Sequence, residues 1–139
     1  MQSATALKLN RHTKLGVLLW IVQGLLALLF AFSGSMKLIL PLAQLTAQFP
    51  LPGLFVRFLG VAELSGAIGL ILPAMLRIRP SLTPLAAAGL VIIMTGATVL
   101  TAEKGPVALA LFPFTVGLLA AFVAYGRLRL DPITTKVER

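Results

Sequence analysis

The chain contains no cysteine. Its own residues therefore form no disulfide, no thiol redox centre and no cysteine-ligated iron–sulfur cluster. It has one histidine, His12, which precedes every apolar run. Haem and copper sites draw on imidazole or thiolate ligands, and one imidazole does not close a zinc site. The sequence thus assigns no metal ligand and no catalytic residue. Charge is scarce too: 12% of residues are charged, against about a quarter in an ordinary soluble domain. Only four are acidic, which leaves a net charge of +8. The basic residues lie between apolar runs without interleaved aromatics, a pattern that argues against nucleic acid and for lipid headgroups.

What the chain does contain is apolar. Of its 139 residues, 58% are hydrophobic, and the mean hydropathy is +0.99. The length allows one domain, 1–139. Four apolar runs stand out, at about 15–40, 54–76, 82–101 and 107–125. Each is close to the roughly 20 residues that span a bilayer. The segment 1–14 is polar and basic, with Lys8, Arg11, His12 and Lys14. Together with Ala31-Phe32-Ser33 it has the outline of a signal peptide. The apolar run that follows is longer than the roughly 7–15 residues of such a segment, so an uncleaved first span is expected.

The connections are also readable. Pro41, Pro50 and Pro52 preclude a long helix over 41–53. Gln44 and Gln48 lie one turn apart there, opposite Leu42, Leu45 and Phe49, which suits either a short interfacial helix or a loop. Arg77, Arg79 and Pro80 end the second run. Pro84 falls in the first turn of the third, where its missing N–H costs little. Gly89, Ile93 and Gly96 share a face of the kind found at packed membrane interfaces. Glu103-Lys104-Gly105-Pro106 reads as a tight turn, and Pro113 should kink the fourth run. The tail, 126–139, is polar. The expected fold is all-α: a polytopic membrane protein built as an antiparallel four-helix transmembrane bundle.

Four spans put both termini on one side. Nine basic residues belong to the termini and the second loop: Lys8, Arg11, Lys14, Arg77, Arg79, Arg127, Arg129, Lys136 and Arg139. Three belong to the opposite side: Lys37, Arg57 and Lys104. The positive-inside rule then predicts a multi-pass protein of the plasma (cytoplasmic, inner) membrane with both termini cytoplasmic.

Glu63 is the residue around which the chain is organised. It lies roughly 13 Å into the second run at about 1.5 Å per residue. An ionised carboxylate there costs on the order of 2–3 kcal/mol. It needs a partner, a proton or a water-filled pocket. Its helical neighbours Gly60, Gly66 and Ala67 are small and admit a second helix. Lys37 is one candidate partner, although ideal helices separate it from Glu63 by roughly 10 Å in depth. Arg57 competes from six residues away on the same helix. The predicted topology puts Ser33, Ser35, Lys37, Arg57, Glu63, Thr95, Thr98, Thr101 and Thr115 in the outer half. Only Gln23 is clearly in the inner half. A polar pocket open to the outside, with Lys37, Arg57, Glu63, Thr95 and Thr98 as its ligand-binding or buried polar network, is the expectation. The competing reading is that each Ser or Thr bonds the carbonyl four residues back, while Lys37 and Arg57 snorkel to the headgroups.

These residues also carry a resemblance. The first run ends FAFSGSMKL, which resembles the glycine-x-x-lysine-like ending of first helices in the DoxX-like membrane proteins, matched by Gly34-Ser35-Met36-Lys37. The second run, FLGVAELSGAIGLILP, resembles that family's glycine-x-x-glutamate-x-x-glycine helix through Gly60, Glu63 and Gly66. Gly96-Ala97 is similar to a glycine-alanine pair in the third helix. Many relatives then carry a histidine where this chain has Thr101. The resemblance covers roughly 15–127. It implies association with thiosulfate:quinone oxidoreductase, with oxidative-stress complexes or, in a distant animal branch, with acetylcholine receptor assembly.

The resemblance implies a non-metal accessory subunit of a membrane redox system, with a quinone or another lipid as the ligand. The chain on its own is not expected to be a catalyst. An assembly or interaction factor that packs on other membrane proteins, or on a second copy of itself, is the alternative. A small transporter built around Glu63 is a third reading.

Overall fold

In a computed structural model of the chain, residues 2–48, 51–79 and 81–130 are described. They form five α-helices: α1 (Gln2–Ile39), α2 (Leu42–Gln48), α3 (Gly53–Leu76), α4 (Leu82–Lys104) and α5 (Val107–Tyr125). The last passes into a π-helical turn, Gly126–Leu130. No strand occurs among the described residues. Among the described residues, four stretches are long and apolar enough to cross a membrane: Thr13–Ile39, Gly53–Leu76, Leu82–Lys104 and Val107–Leu130. The protein is an all-α, multi-pass membrane protein.

The helix ends follow local chemistry. Pro41 opens α2 by accepting from the amides of Gln44 and Leu45, so the segment between the first two spans is a short helix. Leu45, on its apolar side, is 1% exposed. Pro52 precedes α3, and Arg77 ends it in the left-handed conformation, with its amide bonded to the Pro73 carbonyl. That is the usual chemistry of a helix C-terminus, reached here at φ 54 without a glycine. Pro84 lies in the first turn of α4 as expected. Glu103 and Lys104 belong to the last turn of α4, so Gly105 and Pro106 alone make the turn to α5. Helix α5 continues through Pro113.

Two expectations shift at the termini. The basic N-terminal segment is the beginning of α1, which starts at Gln2 and includes His12. The helix-forming residues Ala6, Leu7 and Lys8 carry the helical pattern beyond the bilayer span. At the other end, 126–130 continues the fourth span as a π-helix, and Arg127 in it is 5% exposed. The rest of the tail, 131–139, lies outside the described residues.

The spans pack in a ring. α1 lies against α3, α3 against α4, α4 against α5, and α5 against α1. Contacts between the spans run antiparallel: Gly34 meets Gly60 while Gln23 meets Leu70, and Gly66 meets Leu90 while Gly69 meets Ala86. The core includes Val22, Leu26 and Phe30 of α1, Ala67 and Leu70 of α3, Leu90 of α4, and Ala120 and Val123 of α5. Leucines, isoleucines and phenylalanines cover the outside, among them Leu28, Phe58, Ile92 and Phe112. Such a surface suits hydrocarbon, where packing rather than dehydration holds helices together.

Candidate functional site

Glycine sets the distance between α1 and α3. A Cβ on Gly34 would lie 2.7 Å from the Gly60 carbonyl oxygen and 2.9 Å from the Leu64 nitrogen. A Cβ on Gly60 would lie 2.9 Å from the Lys37 Cβ. The two backbones therefore nearly touch, and Lys37 sits level with Gly60, three residues from Glu63. Three residues are about 4.5 Å along a helix. Side chains on a helix lean toward its N-terminus. Because α1 and α3 are antiparallel, Lys37 and Glu63 lean toward one another.

The result is a buried ion pair. Lys37 Nζ donates to Glu63 Oε2 at 3.0 Å and to Oε1 at 3.2 Å. It also donates to Ser33 Oγ at 2.8 Å, one turn back on α1. Ser33 Oγ in turn donates to Glu63 Oε2 at 2.9 Å. The Glu63 side chain is 3% exposed and that of Lys37 13%. With Lys37 level with Gly60, the difference in depth is about 4.5 Å rather than the roughly 10 Å expected from ideal helices. Ser33 stands one turn below Lys37 and is the member of this cluster missing from the sequence-derived site. The signal for it was in the sequence: serine at i−4 from a lysine faces the same way.

Arg57 does not compete for Glu63. Its Nη1 donates to the carbonyls of Lys37 and Leu38. Those groups belong to the last turn of α1, where carbonyls lack intrahelical partners and a cation complements the helix dipole. Arg57 thus holds the end of the helix that carries Lys37.

Thr95 and Thr98 are not brought to the ion pair. Thr95 is exposed and donates to the Val91 carbonyl at 2.8 Å. Thr98 donates to the Met94 carbonyl at 2.7 Å. Thr101 and Thr115 bond in the same way, to Ala97 and Leu111. This is the four-back pattern of hydroxyls in membrane helices. The rotation of α4 matters here: Thr101 lines the cleft between α3 and α4, while Thr95 and Thr98 do not.

A cleft of about 770 Å³ opens between α3, α4, the first half of α5 and the end of α1. Ser33, Lys37 and Glu63 lie in its wall, with Thr101 and Lys104 contributed by α4. The remaining surface is largely apolar, including Phe55, Ile93 and Phe112. Gly96 also borders it, and a Cβ there would meet nothing within 4 Å. The same holds at Gly89. The Gly89–Gly96 face is therefore open within the chain and not a packed interface. A cleft this size, apolar with a few convergent polar groups, is of the kind that holds small molecules.

A second polar cluster lies toward the other end of the bundle. Gln23, fully buried, donates from Nε2 to the Leu70 carbonyl at 2.6 Å. Its Oε1 accepts from Arg127 Nε, also at 2.6 Å. The Arg127 guanidinium lies 5.3 Å from the centre of the Trp20 ring, within the range of a cation–π contact. Gly126 packs on Leu19, where a Cβ would come within 2.6 Å of a side-chain carbon. Neither Gln23 nor Arg127 lines the cleft. Gln23 was visible as a lone inner-half amide; its partner was hidden in what reads as a polar tail.

A family model described as the DoxX-like family matches residues 21–123 of the chain. No curated protein and no solved structure matches it.

Proposed function

Because this chain belongs to the DoxX-like family, we propose that it is a non-metal accessory subunit of a membrane redox system and that its cleft binds a lipid-soluble ligand of the quinone class. The observation that carries this reading is the placement of the Lys37–Glu63–Ser33 cluster in the wall of an apolar cleft of about 770 Å³. A charged pair inside a membrane protein is expensive and usually serves a site. A quinone presents an apolar ring and two carbonyl acceptors. A ring carbonyl would take the Lys37 N–H that otherwise goes to Ser33, and the Thr101 hydroxyl, on the facing helix, would exchange the Ala97 carbonyl for the ligand. Thr101 takes the place in this contact set that the sequence suggested for Thr98. The chain's own groups would hold and orient the ring; electron transfer belongs to a partner enzyme.

The distribution of basic residues supports a plasma-membrane location with both termini cytoplasmic. That topology puts the cleft in the outer half of the bilayer. A second reading, an assembly or interaction factor, is favoured by the open Gly89 and Gly96 on α4, which suit close approach by a helix of another protein or of a second copy.

Co-purification from native membrane, followed by mass spectrometry of proteins and extracted lipids, tests the reading. A quinone recovered at near-equimolar ratio together with a redox enzyme is the expected result. Recovery of partner proteins without any quinone would favour the assembly reading, and recovery of neither would remove the redox proposal.

A further inference from the structure

The cleft does not stop at the ion pair. A second cavity, of about 370 Å³, lies on the α1–α5 side of Ser33 and Lys37. The two spaces share four wall residues: Ser33, Lys37, Met94 and Phe112. Their other linings differ in kind. The larger space has Glu63, Thr101 and Lys104. The smaller adds only apolar side chains, among them Phe32, Met36, Leu40 and Leu45. Leu45 comes from α2, so the short helix between the first two spans supplies part of this wall. One partition residue, Met94, is unbranched and adaptable. The polar atoms therefore sit at a junction, with a mixed chamber on one side and a purely apolar one on the other.

We propose that the two spaces are arms of a single site, and that its occupant is a lipid with a compact polar head and a long apolar tail. The head occupies the larger arm beside Lys37 and Glu63. The tail passes Met94 and Phe112 and lies between α1 and α5. This inference rests on the quinone reading above and narrows it to tailed quinones. Inside a bilayer the tail gains packing rather than dehydration, so its contribution depends on the shape of the smaller arm. Crowding that arm should then penalise a tailed ligand and spare a tailless one.

Photolabelling gives the direct test. The probe is a benzoquinone carrying a diazirine at the end of a ten-carbon tail, applied to the intact protein in lipid nanodiscs. Labelling at Met36, Leu40 or Leu45 that is competed by unlabelled decylubiquinone is the expected result. Competed labelling at Phe58 or Ile92 would leave the quinone site standing and overturn the tail path. Labelling that decylubiquinone does not compete would overturn both. A second measurement uses Met36→Trp, which crowds the smaller arm from a partly exposed position. Decylubiquinone affinity should fall about tenfold, as expected of one overpacked contact, with tailless ubiquinone-0 unchanged. Equal loss for both quinones, or loss for neither, would count against the inference.

Discussion

Lys37 and Arg127 are both cations within apolar helices, and the bundle holds them by opposite means. Lys37 meets a carboxylate, Glu63, across a glycine-lined contact, and its side chain keeps 13% of its surface accessible. Arg127 meets the Gln23 amide and the face of Trp20, and only 5% of the residue is exposed. The first cluster borders a cleft. The second ties the end of the fourth span to α1 and, through Gln23, to the Leu70 carbonyl of α3. Partial access at one and close packing at the other separate a group that can meet a ligand from one that fastens helices. Buried charge alone does not distinguish them; what borders it does.

The largest effect is expected at the ion pair. Glu63→Gln removes the carboxylate from beside a mostly buried ammonium. Breaking a buried pair typically costs 3–5 kcal/mol, and the residual access of Lys37 puts this one near the low end, about 3 kcal/mol. Thermal unfolding in detergent should shift down for Glu63→Gln and for Lys37→Met, and the double variant should recover part of the loss. Full additivity in the double variant would show that the two charges do not work as a pair.

Gln23→Leu sharpens the contrast from the other side. It removes the acceptor for Arg127 Nε and the donor to the Leu70 carbonyl, at a cost of about 1–3 kcal/mol. The same unfolding assay should show the loss while quinone binding to the folded protein stays unchanged. Reduced binding at full occupancy of the folded state would erase the distinction between the clusters. The smallest effects belong to α4. Thr95→Val should change stability by less than about 0.5 kcal/mol and leave binding alone. Thr101→Val should be equally quiet in stability but lower quinone affinity by about threefold, the worth of one modest hydrogen bond. Isothermal titration with decylubiquinone on the paired variants reads this difference.

Much of the architecture was legible because membrane spans are written in composition. The apolar runs, the prolines between them and the basic loops fixed four helices and their breaks. The motif residues Gly34, Lys37, Gly60 and Glu63 lie where α1 and α3 touch, and the structure explains their letters: Gly34 and Gly60 permit the approach that Lys37 and Glu63 need, while Gly66 admits Leu90 of α4. What could not be read was rotation about helix axes. Thr95, Thr98 and Thr101 are equivalent as letters, and only the packing of α4 turns the last of them toward the cleft. Arg57 looked like a partner for Glu63 because proximity in sequence was visible, whereas the carbonyls at the end of α1 that receive it were not. Arg127 was lost for the opposite reason. It follows Gly126 in a stretch that scores as polar tail, yet the helix continues and carries it under Trp20.

The measurement that bears most directly on the account is quinone binding to the double variant Lys37→Met, Glu63→Gln. Removing both charges together spares the fold the penalty of a stranded ion. The helices should remain assembled, with thermal unfolding above that of either single variant. Titration with decylubiquinone should then show binding reduced by at least about tenfold, the worth of a charge-assisted hydrogen bond in a dry site. A folded double variant that binds decylubiquinone as tightly as the unaltered chain would contradict the assignment of the Lys37–Glu63 cluster as the ligand site.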